Sequence, residues 1–395
     1  MRTQKRFLCL VVLMLCLGVL LAGCGGQADA PPAEEQGEDT KDPSEGDAAE
    51  LEEVKVGMVG PLTGGAATYG ISTRNGIEVA INQANENEEI PGVYLSFHPE
   101  DTEGDWSKSA NAFSKLIEQD GVSVIVGAVL SSETEAGGPI AMDLGIPTIS
   151  PSSTATGLTV GNPYLFRNCL SDEVQASQLA EYAVEELGLS RFAILYTNND
   201  YGNALKDAFE ETAASLAEVV SVEAFMDNDE NFRPQLTSIQ QKNPDAIFIA
   251  GYYTEAAKIA QQAAEQGLDV QILGADGFYS PVLVELGEET VEGAIFTAGF
   301  HGDDPDPNVQ SFVEAYREKF NEDPDMFAAQ AYDAARIVIE AMKKYGTDPE
   351  SIREGIAATK DFPGITGLTS IDEEGDTIKE VLILQVENGA FKRIR

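Results

Sequence analysis

VKVGMVGPLTGGAATYG, residues 54–70, carries the reading of the fold. Val54 to Pro61 is an apolar run of strand type, and Gly60, Gly64 and Gly65 mark a turn. A helical pattern follows over Tyr69–Asn85. Strand, glycine-rich turn and helix in that order open a βαβ unit. The stretch resembles a phosphate loop only faintly. It lacks the lysine of GxxxxGK[ST] and the spacing of GxGxxG, so it points to no nucleotide and no cofactor.

The same rhythm continues along the chain. Strands are expected over 93–100, 122–129 and 146–151, with helices over 107–119 and from Ser131. A second series has strands over 192–197, 219–225, 245–253, 271–276 and 293–300, with helices over 174–187, 204–216, 233–241 and 255–266. Strands that alternate with helices imply parallel sheets covered on both faces. Continuous Val/Ile/Leu runs, rather than strict alternation, fit strands buried on both faces. The segment PYLFRNCLSDEV, residues 163–174, is expected as an extended crossover between the two series. The last third is helix-rich (307–320, 326–344, 349–358) and ends in a hairpin over 381–394, with its turn at Asn388-Gly389.

The start of the chain reads differently. Arg2, Lys5 and Arg6 precede an apolar run from Phe7 to Ala22, which is 16 residues long. That is short of the ~20 a spanning helix needs. A basic start, an apolar stretch and small residues before a cut form a secretory signal. Leu21-Ala22-Gly23-Cys24 resembles a bacterial lipobox, which implies a signal peptide of residues 1–23 and a lipidated Cys24. An uncleaved anchor or an ordinary cut is the alternative. Residues 24–53 are acidic and poor in large apolar side chains, the composition of a disordered tether. No candidate for a structural disulfide remains after Cys24, because Cys169 is then the single cysteine of the body and reads as a buried structural thiol.

Net charge is −42, and removing the signal leaves 22 cations against 67 acids. Such a chain repels nucleic acid, whose binding requires phosphate neutralisation. His98 and His301 are the only histidines. Without a CxxC or HExxH spacing they give no metal site, and no GxSxG elbow or base near a serine suggests an enzyme. Trp106, after a loop acid, reads as packing a helix start.

In open parallel sheets, ligands bind beyond the carboxyl ends of the strands. Those positions read GPLTGGAATYG, AVLSSET, SPSSTAT, TNNDYGNAL, AGYYTEA and GADGFYS. They offer hydroxyls, tyrosines and four acids, Asp276 among them, and no basic residue. Order and spacing together resemble the leucine/isoleucine/valine-binding family of bacterial solute-binding proteins, over essentially all of the body from Val54. That resemblance implies two Rossmann-like α/β lobes joined by three crossovers, the type I periplasmic-binding fold. It implies an N-lobe of residues 54–171 and 301–371 and a C-lobe of 172–300 and 372–395. It also implies capture of a small amino acid, branched-chain or otherwise aliphatic, and delivery to the membrane permease of an ABC importer. A surface sensor of the same fold, or a binder of an amide or urea-like solute, is the alternative.

The same resemblance implies the ligand set. Ser131 and Thr154 fall where the family uses hydroxyls on the α-carboxylate, and Ser152 where it uses backbone groups. Tyr69, Tyr201 and Tyr252 match aromatics of the cleft. Asp276 falls where better-known members place a glutamate for the ammonium group, and it is one methylene shorter. Leu130 stands where some members have a disulfide cysteine, with no partner cysteine near Thr102. The chemistry agrees: a zwitterion needs hydroxyls and N–H groups at one end and a buried acid at the other.

Overall fold

The structure is a computed structural model that describes residues 51–395. The lipobox, with Cys24, and nearly all of the acidic segment lie outside the described residues. Strand β1 (Glu52–Gly60) begins two residues inside that segment, because Glu52 and Glu53 pair in register with Val93 and Tyr94. Backbone pairing overrides the acidic composition there, with both side chains left in solvent.

After β1 come α1 (Ala67–Glu86), β2 (Val93–Asp101), α2 (Trp106–Lys115), β3 (Val124–Val126), α3 (Ser131–Asp143), β4 (Thr148–Ser150) and β5 (Leu165–Arg167). They build a parallel five-stranded sheet in the order β2-β1-β3-β4-β5. The extended segment 163–174 thus contributes a strand, β5, paired to β4 from Thr148↔Leu165 to Ser150↔Arg167. Trp106 opens α2 but is exposed, and Asp105 caps the helix through Lys108 N–H, so the ring is not the packing element expected.

The second series is α4 (Asp172–Glu185), β6 (Arg191–Thr197), α5 (Asp200–Leu216), β7 (Glu218–Phe225), α6 (Arg233–Gln240), β8 (Ala246–Ala250), α7 (Tyr253–Glu265), β9 (Gln271–Gly274), α8 (Pro281–Gly287) and β10 (Ile295–Ala298). The chain then forms α9 (Pro307–Phe320), α10 (Met326–Tyr345) and α11 (Pro349–Ala357). Three short strands follow, β11 (Phe362–Gly364), β12 (Gly367–Ile371) and β13 (Thr377–Ile378), before β14 (Leu382–Glu387) and β15 (Ala390–Arg393). The second sheet runs β15-β14-β10-β9-β8-β6-β7, with β14 antiparallel to β10. The β14–β15 turn has φ of 54° at Asn388 and 72° at Gly389, the two positive values that an Asn-Gly hairpin turn requires.

Both sheets repeat one doubly wound order, second-first-third-fourth-fifth in each series. Strand order reverses between β1 and β3 in one and between β6 and β8 in the other, and a crevice opens at the carboxyl ends there. Strands β3, β8 and β10 are buried along their whole length, as helices on both faces demand. Strands β3, β8 and β9 end earlier than their apolar runs do, at Val126, Ala250 and Gly274. The residues beyond leave the ladder and form the loops that carry the candidate site.

Helices α9–α11 return to the first sheet, where α10 packs along α1. Gly76 permits that approach: a Cβ there would meet the Ala328 carbonyl oxygen at 2.1 Å. Gly76→Ala is expected to force the helices apart and cost roughly 1–3 kcal/mol. A lower urea midpoint at unchanged slope is the readout.

The chain passes between the sheets three times, after β5, after β10 and before β14. The first and third passages are tied together. Lys379 Nζ donates to Asn168 Oδ1 at 2.8 Å and to Thr366 Oγ1 at 2.6 Å, and Thr366 Oγ1 in turn donates to Asp333 Oδ2 at 2.6 Å. Burial pulls the Lys379 ammonium down to about 8, against the upward pull of Asp333. Cys169 is buried beside this tie and its thiol donates to Ser153 O at 3.3 Å, so it is a packing residue.

Candidate functional site

The two crevices face each other. From the first sheet, Tyr69 lies in α1 after β1, Ser131 opens α3 after β3, and Ser152 and Thr154 follow β4. From the second, Tyr201 lies in α5 after β6, Tyr252 follows β8, and Asp276 follows β9. Tyr252 is not in the strand, as expected, but at the N-terminal boundary of α7. One cavity of about 20 Å³ is lined by Tyr69, Ser131, Ser152, Tyr201, Tyr252 and Asp276, together with Val129, Leu130, Gly277 and Phe327. Six of the seven expected residues therefore meet. Thr154 does not line the wall; it stands behind it, with its hydroxyl buried and without a partner.

The first side can hold an anion. Ser131 is the first residue of α3, whose free N–H groups and dipole favour negative charge. Its Oγ accepts from Ala155 N–H at 3.2 Å, which leaves the hydroxyl proton to donate. Ser152 Oγ donates to Val129 O at 2.8 Å, so its side chain is occupied and its backbone remains. Glu133 braces the loop. It accepts from Leu130 N–H at 3.0 Å and from the Thr102 hydroxyl. These bonds join the segments around Leu130 and Thr102, where a disulfide is absent, by a polar link. Burial raises the Glu133 carboxyl to about 7.

The second side can hold a cation. Asp276 is buried and accepts from Tyr201 Oη at 2.9 Å, while Gly277 N–H donates to the same Tyr201 oxygen at 3.0 Å. Burial lifts the Asp276 carboxyl to about 6, and Tyr201, Gln175 and the Gly277 N–H pull it back. Gly277 is required by close approach: a Cβ would stand 2.6 Å from Tyr201 Oη and 2.7 Å from Gly251 O. Tyr201 stacks on Tyr252 with centroids 5.1 Å apart, and Tyr69 packs against Phe327 at 4.3 Å. These rings and Leu130 give the remaining wall an apolar, aromatic surface.

The two sides touch. The Tyr69 hydroxyl donates to Gly277 O and accepts from Tyr253 N–H at 3.4 Å. The Tyr253 hydroxyl reaches Gly65 O and Thr68 Oγ1, both at 3.1 Å. The arrangement is closed, and its cavity of about 20 Å³ is water-sized. A solute of several heavy atoms enters only if these contacts part or the rings turn aside.

Two residues escaped the sequence reading. Phe327 comes from the start of α10 and meets Tyr69 only after the chain has returned to the first sheet. No local signal marks it. Asp172, at the start of α4, is fully buried with both carboxylate oxygens unpartnered. Ser171 already caps that helix, accepting from Val174 N–H at 3.3 Å, which was the available hint that Asp172 has other work.

A family model described as periplasmic binding protein matches residues 53–390. The chain is 28% identical over 327 residues to the leucine-, isoleucine-, valine-, threonine-, and alanine-binding protein of Pseudomonas aeruginosa, covering 82% of this chain and 87% of that protein. The crystal structure of a leucine binding protein, LivK, from Thermotoga maritima superposes with a TM-score of 0.81 at 34% identity, covering 87% of this chain and 98% of that one. The branched-chain amino acid transporter substrate binding protein LivJ from Streptococcus pneumoniae, solved in complex with isoleucine, superposes with a TM-score of 0.82 at 33% identity, covering 86% and 98%.

Proposed function

Because the chain belongs to the periplasmic binding protein family, we propose that it is the extracytoplasmic solute-binding subunit of an ABC importer, and that it captures a small aliphatic amino acid between its lobes. One observation carries the reading: the same interlobe cavity has a serine at a helix N-terminus on one side and a buried carboxylate on the other. A zwitterion satisfies both ends. The aromatic and aliphatic remainder of the wall suits an apolar side chain. The names of the similar proteins, which bind leucine and isoleucine among others, support the same class.

In this reading the lobes are residues 54–171 with 301–371 and 172–300 with 372–395, hinged at the three passages. Ser131, Thr154 and backbone groups at Ser152 take the α-carboxylate. Asp276 takes the ammonium group, and Tyr69, Tyr201 and Tyr252 enclose the rest. Ligand bridging the lobes stabilises the closed form, which docks on the permease. Binding, not catalysis, is the activity. Lipidation of Cys24 anchors the protein outside the cell membrane, and a Cys24→Ser chain is expected to appear in the soluble fraction.

Calorimetric titration of the purified protein with the twenty amino acids tests the proposal. Binding of one or more aliphatic amino acids is expected. Failure of all twenty, with binding of an amide or urea, would overturn the amino-acid reading.

A further inference from the structure

We infer that Asp172 is a second carboxylate for the solute's ammonium group, so that Asp172 and Asp276 hold one amine between them and the site selects solutes that carry it. The inference rests on the proposed function and names a further specificity-determining residue.

Asp172 is the first residue of α4, and acids at helix starts ordinarily sit in solvent, as Asp200 does at the start of α5. Asp172 is instead 0% exposed, no group stands at full hydrogen-bond distance from either carboxylate oxygen, and the nearby Thr154 hydroxyl is the one side-chain donor that acts on it. Capping does not explain it, because Ser171 performs that role. The dipole of α4 offsets part of its burial. Among the described residues, one cation offsets part of the rest. Arg167 is the cation that acts on it, and that guanidinium is already committed to Asp376, to Ala155 O at 2.9 Å and to Ser153 O at 3.4 Å. A buried carboxylate left in this state is costly unless a partner arrives.

Its neighbours indicate the partner. Asp172 N–H donates to Thr154 O at 2.8 Å, and the Thr154 hydroxyl beside it is buried and acts as a weak donor toward the Asp172 carboxylate. Burial and the charge of Asp276 push the Asp172 carboxyl well above its usual range, and Asp172 in turn acts on Tyr201, a residue of the cavity wall. Asp276 on the cavity wall, with Asp172 and Thr154 Oγ1 behind that wall and within reach of its charge, thus supplies a set of acceptors on one side of the cavity. An ammonium group carries three N–H donors and no acceptor. An acid, an alcohol or an amide lacking that charge would leave two carboxylates repelling each other.

The test compares full-length wild type with Asp172→Asn. Each is titrated with L-leucine and with 4-methylpentanoate, which keeps the carbon skeleton and carboxylate but lacks the amine. Ligand-free thermal unfolding is recorded alongside. The expected result is a loss of leucine affinity on the order of 100-fold in the variant and a gap between the two ligands at least tenfold narrower. Ligand-free Tm should be equal or higher, because the substitution removes an unpaired buried acid. Leucine affinity within threefold of wild type overturns the inference and leaves the proposed function standing. Equal weakening of both ligands, with a lowered ligand-free Tm, also overturns it by making Asp172 structural. If wild type binds none of the twenty amino acids, the proposed function fails, and the inference falls with it.

Discussion

Asp276→Asn is expected to weaken amino-acid binding by roughly 30- to 3,000-fold, the equivalent of about 2–5 kcal/mol for one partner of a buried, hydrogen-bonded charge pair. The change is nearly isosteric and preserves an acceptor for Tyr201, whose hydroxyl donates to Asp276 Oδ1 at 2.9 Å. The fold should therefore survive, and the loss should fall on the ligand. Calorimetry with L-leucine measures it, and an unchanged affinity would remove Asp276 from the site.

The same residue dictates a pH dependence. Burial holds the Asp276 carboxyl at about 6, above the ordinary 3.8. A solute ammonium favours the ionised form, so binding below pH 6 must expel a proton. Affinity should fall about tenfold per pH unit beneath that point. Stability of the ligand-free protein moves the other way. A carboxyl raised in the folded state contributes stability that is fully present below about pH 4 and is lost as pH rises toward 6. Acidification therefore narrows the Tm gap between liganded and free protein from both sides. Asp172, Tyr201 and Arg167 share the locus, and Glu133, lifted to about 7, titrates beneath α3. The Asp276→Asn variant isolates its contribution: its affinity should be flatter between pH 5 and 6.5 than that of wild type.

Arg167→Met is expected to lower both stability and affinity. Arg167 is 1% exposed at the end of β5. It pairs with Asp376 through two nitrogens and donates through the third to Ala155 O and Ser153 O. One guanidinium thus ties the third passage between the lobes to the loop that carries Thr154. Removing one partner of a buried ion pair costs about 3–5 kcal/mol. Asp376 is 27% exposed and can rehydrate, so about 2–3 kcal/mol is the expected loss, a Tm drop on the order of 5 °C. The carbonyls that flank Thr154 are also released, so leucine affinity should fall by roughly tenfold. Arg167→Lys should rescue little, because a point charge cannot serve both sides of the fork. A Met variant with wild-type Tm and affinity would show that the pair positions nothing.

Much of the site was legible because fold and chemistry are written locally in a parallel α/β protein. Apolar runs over 122–129, 146–151, 245–253 and 271–276 mark the strands to within three residues of where they stop. The residues at and just past their ends, Ser131, Ser152, Tyr252 and Asp276, then sit at crevice positions by topology alone. The three-stranded sheet β11–β12–β13 was not legible. Its strands are two to five residues long, too short for a periodic pattern, and antiparallel pairing holds them. The polar link from Glu133 to Thr102 was also hidden, since an acid in the first turn of α3 reads as a helix-dipole residue.

By itself, the sequence determined two doubly wound sheets, their crossovers, and a row of hydroxyls and acids at strand ends, because those follow from hydropathy period and strand–turn–helix order. Only the tertiary structure decided that Phe327 joins Tyr69, that Arg167 braces the Thr154 loop, and that Asp172 is sealed from water within reach of the charge of Asp276. Burial and charge environment belong to no residue type. They arise when segments more than a hundred residues apart exclude solvent from the same few ångströms.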